Sequence, residues 1–214
     1  MLDAPKTDEV EISLFGPSYG ECVVIHAGNG VWFVIDSCTV PETDEPRSVR
    51  YLTDIGVDVT SHVKRIIATH WDDDHIRGLS RLVELAKDAE FVCSGAVFTE
   101  DFATLVRISN SSRTNFAGGV REFGNVFDTL KKRGKQLKLV MAQTTIWNCL
   151  RNGQEDAALI ALSPSTATII DGHLNIAQLV RGVKSQNLRP VDTSRNARSI
   201  VLWLRIQNAL ALLV

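Results

Sequence analysis

The 214-residue sequence lacks the features that mark several large classes of protein. Its longest plainly apolar run is Ala209 to Val214, far short of the ~20 residues that a membrane-spanning helix needs. Residues 1–11 are polar and acidic, so we expect no signal peptide and a cytoplasmic location. The 23 Lys and Arg residues nearly balance the 25 Asp and Glu residues, so nucleic-acid binding is not indicated by the charge.

Cysteines are few and scattered. Cys22, Cys38, Cys93 and Cys149 form no C-x-x-C pair and no small-domain disulfide framework. This usage is typical of a reducing compartment. We therefore predict that all four are buried small hydrophobic residues or unreactive thiols.

What remains is an ordinary globular composition, with 44% apolar and 22% charged residues and no repeat or linker. We expect a single domain over residues 1–214. The apolar patterns predict strands over 11–15, 22–27, 31–35, 63–69, 91–97, 137–142 and 157–162, and a hairpin over 199–206 and 209–214. They predict helices over 47–55, 76–87, 100–108 and 120–132. Strands that alternate with helices after an all-strand opening indicate a layered α/β fold.

One cluster carries chemistry. His70-Trp71-Asp72-Asp73-Asp74-His75 stands where a buried strand ends and a helix begins. Imidazole and carboxylate groups together suit Zn²⁺, Mn²⁺ or Fe²⁺. Three carboxylates packed without a cation would repel one another. A pair of bound metal ions would make the net electrostatic interaction attractive, and the ions could activate a bridging water. The alternative is a solvated acidic loop that caps the following helix, and for Asp73 alone we favour this alternative.

This hexapeptide resembles the H-x-[HD]-x-D-H metal motif of the metallo-β-lactamase-fold hydrolases. Residues 31–36 resemble the early strand of that family, which ends in an aspartate, and residues 19–22 resemble the turn before it. Asp72 stands where many members have a second histidine, which is similar to the subgroup attached to competence-type DNA-uptake channels. Arg77 departs from that subgroup, which has a glycine there, and residues 196–201 resemble its stretch before a closing hairpin.

The resemblance implies a four-layer αβ/βα sandwich and a site with two metal ions, Zn²⁺ or else Mn²⁺ or Fe²⁺. His70 and Asp72 would ligate one ion, and Asp74 and His75 would ligate the second. Asp74 would also orient the attacking water and is the expected catalytic residue. Asp36 would support the motif loop rather than bind metal.

The family completes its site with a bridging aspartate after a late strand and with further histidines, which do not occur before Val214. We therefore expect a fold that lacks its C-terminal part and a metal site that is incomplete, so that the present chain could be inactive. Either the sequence is the N-terminal portion of a longer hydrolase, or it is a complete but degenerate member. His173 lies in Asp171-Gly172-His173, which we interpret as an exposed turn. Whether His173 is a ligand stays open.

The sequence thus predicts a metal-dependent hydrolase in which a metal-bound hydroxide attacks a phosphoester-type substrate. The preference for phosphoesters rests on the resemblance of the Asp72 variant to the DNA-uptake subgroup. The substrate would be a small molecule or a nucleotide. We expect no membrane partner, and the sequence does not indicate an oligomeric state. The alternative is a non-catalytic binding module with the same fold.

Overall fold

The computed structural model describes residues 3–16, 20–96, 100–111, 118–184, 198–207 and 209–213. The chain divides into two compact units. Unit 1 comprises residues 1–92 and 109–138, and unit 2 comprises residues 93–108 and 139–214. The expectation of a single domain stays a prediction.

The strands are β1 (Glu11–Phe15), β2 (Cys22–His26), β3 (Trp32–Ile35), β4 (Val63–Ala68), β5 (Glu90–Ser94), β6 (Lys138–Val140), β7 (Thr144–Arg151), β8 (Gln154–Ala161), β9 (Leu202–Ile206) and β10 (Ala209–Leu213). The helices are α1 (Arg47–Asp54), α2 (Val59–His62), α3 (Asp73–Ile76), α4 (Leu79–Leu85), α5 (Glu100–Ser111), α6 (Gly118–Lys132) and α7 (Thr166–Lys184). One sheet has the order β1-β2-β3-β4-β5-β6 and the other the order β10-β9-β8-β7. None of the helices in the described residues is long and apolar enough to cross a bilayer.

The first three strands of unit 1 are antiparallel, and the third strand pairs with a parallel fourth strand. β1, β2 and β3 pair antiparallel, and the β2–β3 turn contains Asn29 and Gly30, both with positive φ. This is the hairpin that the Asn-Gly pair predicts. β3 then pairs parallel with β4, and every residue of β3 is buried. Parallel strands run in one direction, so the carboxyl ends of β3 and β4 meet at one edge of the sheet.

The helix predicted over 76–87 is wrong in extent, because Ile76 is the last residue of α3 and α4 comprises only Leu79–Leu85. Gly78 interrupts it with φ of 79°. Ser37 takes two of the carbonyls that a continuous helix would use: its N–H donates to His75 O (2.7 Å) and its hydroxyl donates to Arg77 O (2.9 Å). The motif is therefore tied to the chain after β3 rather than to a regular helix.

Helix α6 makes hydrogen bonds with both α3 and α4. The backbone N–H of Gly119 donates to the Asp73 carboxylate. Glu122 accepts from Ser80 N at 3.0 Å, at the start of α4. The Phe123 ring of α6 meets the Phe91 ring edge to face, with the centroids 6.1 Å apart. Asp73 therefore caps a helix, as the alternative interpretation of that residue expects, but the helix is α6 rather than the one that follows the motif.

Unit 2 contains an antiparallel four-stranded sheet. The predicted C-terminal hairpin corresponds to β9 and β10. β7 was not expected from the sequence. It is the last strand in the sheet order, and only Ile146 among its residues is fully buried, so its hydrophobic pattern is weak.

The turn predicted at Asp171-Gly172-His173 is wrong, because these residues lie inside α7. A Cβ at Gly172 would lie 3.0 Å from the Cβ of Ala96 and 3.1 Å from the Cδ of Arg198. The glycine thus permits close packing of a helix, although Asp-Gly pairs more often mark turns. His173 is half-buried, and its Nε2 forms a 2.9 Å hydrogen bond with Gly95 O.

Candidate metal centre

The site begins where two buried strands end. Asp36 directly follows β3, and Thr69 and His70 directly follow β4. The N–H of Asp36 donates to Ile67 O at 2.8 Å, which continues the ladder between the two strands. Asp36 then turns into the left-handed region with φ of 57°. The fold therefore delivers a carboxylate and an imidazole to the same edge of the sheet, as the carboxyl ends of parallel strands generally do for functional groups.

The Asp36 carboxylate is the hub of a buried hydrogen-bond network. Its Oδ1 accepts from Thr69 N at 2.7 Å, and its Oδ2 accepts from the Thr69 hydroxyl at 2.6 Å. The same Oδ2 lies 2.9 Å from Nδ1 of His75. Thr69 Oγ1 also lies 2.9 Å from Nδ1 of His70. One carboxylate therefore supports both histidines of the motif, one directly and one through a hydroxyl.

This network assigns the tautomers of the two imidazoles. The Thr69 hydroxyl donates its only proton to a hydrogen bond with Asp36, so its oxygen must accept a hydrogen bond from Nδ1–H of His70. His75 likewise donates from Nδ1 to Asp36. In the neutral form of each ring, Nε2 then carries a free lone pair. This is the orientation in which histidine binds a metal ion while its other nitrogen is held by a supporting group.

The aspartates of the motif face these nitrogens. Nε2 of His70 lies 3.9 Å from Oδ2 of Asp72, and Nε2 of His75 lies 3.8 Å from Oδ2 of Asp74. The two imidazole rings are 3.9 Å apart between centroids. Two donors bound to one ion at about 2.1 Å are separated by roughly 3.4 Å in a tetrahedral site, so only a small movement is needed. The structure thus brings all four predicted ligands together.

Within the described residues, two sets of three ligand atoms lie within 4.8 Å of one another. One set is His70, Asp72 and Asp74, and the other is Asp36, His70 and His75. The second set raises the question whether Asp36 is itself a ligand. Both of its carboxylate oxygens already accept hydrogen bonds from Thr69, and one also serves His75. This geometry favours the supporting role predicted for Asp36.

Burial and neighbouring charges shift the pKa values of the two histidines in opposite directions. Burial lowers the pKa of His70 below its usual value, and the neighbouring His75 lowers it further. Burial would also lower the pKa of His75, but the hydrogen bond and charge of Asp36, with the charges of Asp74 and Glu21, raise it. His70 is therefore ready to bind a cation near neutral pH, whereas a cation at His75 must compete with a proton.

Sequence patterns did not identify two contributors, Thr69 and Glu21. The Thr69 hydroxyl links Asp36 to His70, and Oε1 of Glu21 lies 3.8 Å from Nδ1 of His75. Neither residue is part of the metal-ligand motif, although Thr69 directly precedes it. Glu21 is placed by its N–H, which donates to Asp74 O at 3.0 Å.

Gly20 makes that approach possible. Its φ is 90°, and a Cβ there would lie 2.6 Å from Asp74 O and 3.1 Å from the Cβ of Cys38. No side chain fits between these groups, so the turn needs glycine at this position.

A cavity of about 320 Å³ opens beside the motif, and Asp73 and Ile76 of α3 form part of its wall. Arg77, Arg121 and Asn125 also line it, and both arginines are exposed. The cavity therefore presents guanidinium and amide donors on the side of α3 that carries Asp73, and its lining includes none of the four candidate ligands.

Two cysteines meet beneath the same loop. Sγ of Cys22 lies 3.6 Å from Sγ of Cys38, and both residues are buried. Their contact and burial raise the pKa of Cys22, whereas the same contact lowers the pKa of Cys38. The prediction of buried cysteines holds for this pair, but their mutual contact was not expected.

Comparison with known proteins supports the fold and the motif. Residues 15–101 match the sequence model of the metallo-beta-lactamase superfamily. A comparison with the curated proteins finds no match. A metallo-beta-lactamase-type protein of Thermotoga maritima has a similar structure, with a TM-score of 0.50 and 14% identity over 96% of this chain and 77% of that chain.

Further crystal structures show weaker similarity. A subclass B3 metallo-beta-lactamase from a soil metagenome library gives a TM-score of 0.46 at 13% identity and covers 93% of this chain. A class B3 di-zinc enzyme from an Alaskan soil metagenome gives 0.49 at 12% identity and covers 100% of this chain. The chain spans 57% of the first of these two proteins and 67% of the second.

The match over residues 15–101 and the structural similarity confirm the expected α/β fold class. The competence-type subgroup stays a prediction. Tyr19, Asn196 and Ala197, which contribute to the resemblance, lie outside the described residues.

Proposed function

We propose that this metallo-beta-lactamase-type chain belongs to a metal-dependent hydrolase that acts on a phosphoester-type substrate. The observation that carries the proposal is the convergence of His70, Asp72, Asp74 and His75, with their ligand atoms facing one another at 3.8–3.9 Å. The superfamily is typically one of metal-dependent hydrolases, and the family match includes this motif.

The donor set fits a divalent cation such as Zn²⁺, Mn²⁺ or Fe²⁺. Two imidazole nitrogens with free lone pairs face two carboxylates, and Asp36 and Thr69 hold the rings in place. When bound, such ions activate water and stabilise the negative charge that develops during hydrolysis. His70 and Asp72 would hold one ion, and Asp74 and His75 would hold a second.

Asp74 has a further role in this proposal. Its side chain is 51% exposed, whereas the Asp72 side chain is 25% exposed, so Asp74 is the carboxylate that more readily reaches an incoming water molecule. It can accept a proton from that water and orient it toward the substrate. Its backbone carbonyl is held by Glu21 N, which restricts the loop that carries the side chain.

The preference for an anionic, phosphoester-type substrate draws on the cavity beside the motif. Arg77 and Arg121 line it, and guanidinium groups recognise phosphate oxygens through paired hydrogen bonds. The carboxylates of Asp73 and Glu122 also line the cavity, but each accepts a hydrogen bond from a backbone amide. A small phosphodiester or a nucleotide is the class of substrate that matches this lining.

Hydrolysis of a chromogenic phosphodiester, measured with added Mn²⁺ or Zn²⁺, tests the proposal. We expect metal-dependent turnover in the unaltered chain and a loss on the order of 100-fold or more in Asp74→Ala. Asp128→Ala, the same change on the exposed side of α6, is the matched control and should retain full activity. Circular dichroism of each variant checks that the fold is intact.

Two results would contradict this assignment. Undiminished turnover in Asp74→Ala would remove Asp74 from the mechanism. Tight metal binding without turnover of phosphodiesters, phosphomonoesters, thioesters or lactams would instead favour a binding module with the same fold.

A further inference from the structure

The contact between Cys22 and Cys38 is a second chemical feature of unit 1. Cys22 begins β2 and Cys38 lies three residues beyond the end of β3, so the two thiols come from different segments. Their sulfur atoms are 3.6 Å apart, and the two residues are 1% and 2% exposed. A disulfide bond is about 2.05 Å long, so an approach of about 1.5 Å would bring the sulfurs to bonding distance.

The neighbours of both cysteines hold the backbone of the candidate metal centre. The N–H of Glu21, next to Cys22, donates to Asp74 O at 3.0 Å. The N–H of Ser37, next to Cys38, donates to His75 O at 2.7 Å. Any change in the separation of the two cysteines therefore acts on the two segments that position Asp74 and His75.

We propose that Cys22 and Cys38 are a redox modification site, at which a small disulfide of the glutathione class converts the two thiols into an intramolecular disulfide. The proposal is independent of the hydrolytic function, because the product is defined by a covalent bond.

The reaction is a thiol–disulfide exchange in two steps. One cysteine loses its proton and attacks a sulfur of the oxidant, which breaks the oxidant's S–S bond, releases one thiolate and leaves a mixed disulfide. The second cysteine loses its proton and attacks the protein sulfur of that mixed disulfide, which releases the other thiolate. Cys22 and Cys38 are thereby oxidised by two electrons, the oxidant is reduced to two thiols, and the two protons end on those thiols.

The new bond shortens the distance between the segment after Gly20 and the segment after Asp36. The turn at Gly20 is closely packed, because even a Cβ built there would lie 2.6 Å from Asp74 O and 3.1 Å from the Cβ of Cys38. We therefore expect the hydrogen bonds from Glu21 N and Ser37 N to be altered in the oxidised form. Because both thiols are buried, oxidation requires a local opening and is slow.

Equilibration in glutathione buffers of graded ratio, followed by acid quenching and labelling of free thiols in denaturant, tests the modification. The equilibrium must be approached from both the reduced and the oxidised chain, so that slow access does not limit the result. We expect two of the four thiols to be lost together, with a mass lower by two hydrogen atoms, and peptide mapping to join Cys22 to Cys38.

Cysteine variants provide the controls. Cys22→Ser and Cys38→Ser should each abolish the cross-linked peptide, and Cys93→Ser, which alters a buried cysteine of unit 2, should leave it unchanged. If a serine variant does not fold, the corresponding alanine variant replaces it. The proposal is overturned if Cys22 and Cys38 remain fully labelled at ratios that convert Cys149 to its mixed disulfide with glutathione, or if they carry glutathione separately without cross-linking.

Hydrogen exchange of individual amides tests the link to the metal centre without any metal. We expect the exchange rates of Glu21 N and Ser37 N to differ at least several-fold between the reduced and cross-linked chains, with the amides of β8 unchanged. Identical rates at Glu21 and Ser37 in a chain shown to be cross-linked would overturn the coupling.

Discussion

The two compact units bury their polar side chains in different ways. In unit 1, the buried side chains of Asp36, Thr69 and His70 bond to one another, so ionisable groups form a continuous network. In unit 2, the buried Ser94 hydroxyl and the half-buried His173 imidazole each bond to a backbone carbonyl, at Arg198 and Gly95 respectively. A bond to a carbonyl fixes a segment, whereas a network of side chains creates a site whose charge can change.

The sheets account for this difference. β3 and β4 run parallel, so the polar residues that follow them accumulate at one edge. The sheet of β7 to β10 is antiparallel throughout, so successive strand ends fall at opposite edges. In β9, buried and exposed positions also alternate, with Leu202 and Leu204 buried and Trp203 exposed. Matched substitutions in the two units therefore test whether metal binding belongs to unit 1 and whether its buried polar network contributes more to stability than the isolated bonds of unit 2.

The largest expected effect concerns histidine. His70→Gln should weaken Mn²⁺ or Zn²⁺ binding by about 1,000-fold, because losing a ligand should exceed the 10–100-fold effect of losing a supporting partner. His173→Gln, the matched change in unit 2, should leave the affinity unchanged, since Nε2 of His173 is engaged by Gly95 O. Equilibrium dialysis measures both, and an equal loss in the two variants would assign His173 to the metal site.

The next effect concerns glycine. Gly153 in the β7–β8 turn has φ of 78°, and a Cβ there would meet nothing within 4 Å, so Gly153→Ala should cost about 1 kcal/mol through backbone strain alone. Gly20→Ala adds a clash with Asp74 O and should cost about 3 kcal/mol. Urea unfolding measures the free energy of unfolding of each variant, and equal costs would show that the turn at Gly20 yields easily.

The buried carboxylate of Asp36 should contribute more to stability than the buried hydroxyl of Ser94. Asp36→Asn replaces an acceptor of three hydrogen bonds with an amide of similar shape, and we expect a loss of about 2 kcal/mol in the free energy of unfolding. Ser94→Ala in unit 2 removes the bond to Arg198 O and should cost about 1 kcal/mol. The comparison fails if Ser94→Ala proves the more destabilising of the two in the same unfolding experiment.

The smallest effect is pH-dependent and concerns His26. This residue is 2% exposed, and its Nδ1 has no hydrogen-bond partner among the described residues. Burial lowers the pKa of His26, although Glu9 and Glu11 oppose the shift. The unfolded chain therefore binds a proton more readily, so stability is full above about pH 6.5 and is lost as pH falls through the lower pKa of the folded state.

His26→Gln should remove this contribution, so its free energy of unfolding should fall less than that of the unaltered chain between about pH 8 and about pH 5.5. His62→Gln, at an exposed histidine that also lies in unit 1, is the control and should follow the unaltered chain. Parallel pH profiles for His26→Gln and the unaltered chain would show that His26 is not the group that titrates.

The sequence could predict the α/β class, the six strands of the first sheet and the spacing of His70 to His75, because strand periodicity and ligand spacing are local. It could not predict the break of the helix at Gly78, since that depends on Ser37, which is distant in sequence and captures two carbonyls. The helical state of His173 was missed because Gly172 packs against Ala96. Contacts between distant segments decided each of these cases.

The same limit applies to the site. Spacing identified the four candidate ligands, but not the hydroxyl of Thr69, the carboxylate of Glu21 or the pairing of Cys22 with Cys38. Each of these is a contact between side chains that the fold brings together, and single-residue patterns carry no information about such pairs.

The left-handed backbone at Asp36 also restricts how this position can vary. With φ of 57°, the position accepts glycine, asparagine and aspartate far more readily than other residues. The network then demands an acceptor that serves Thr69 twice and His75 once. Glycine offers no acceptor, asparagine offers one oxygen, and glutamate offers two but fits the backbone poorly. In a saturation library at position 36, a functional residue would therefore have to tolerate the left-handed backbone and also supply these acceptors. Aspartate alone meets both requirements.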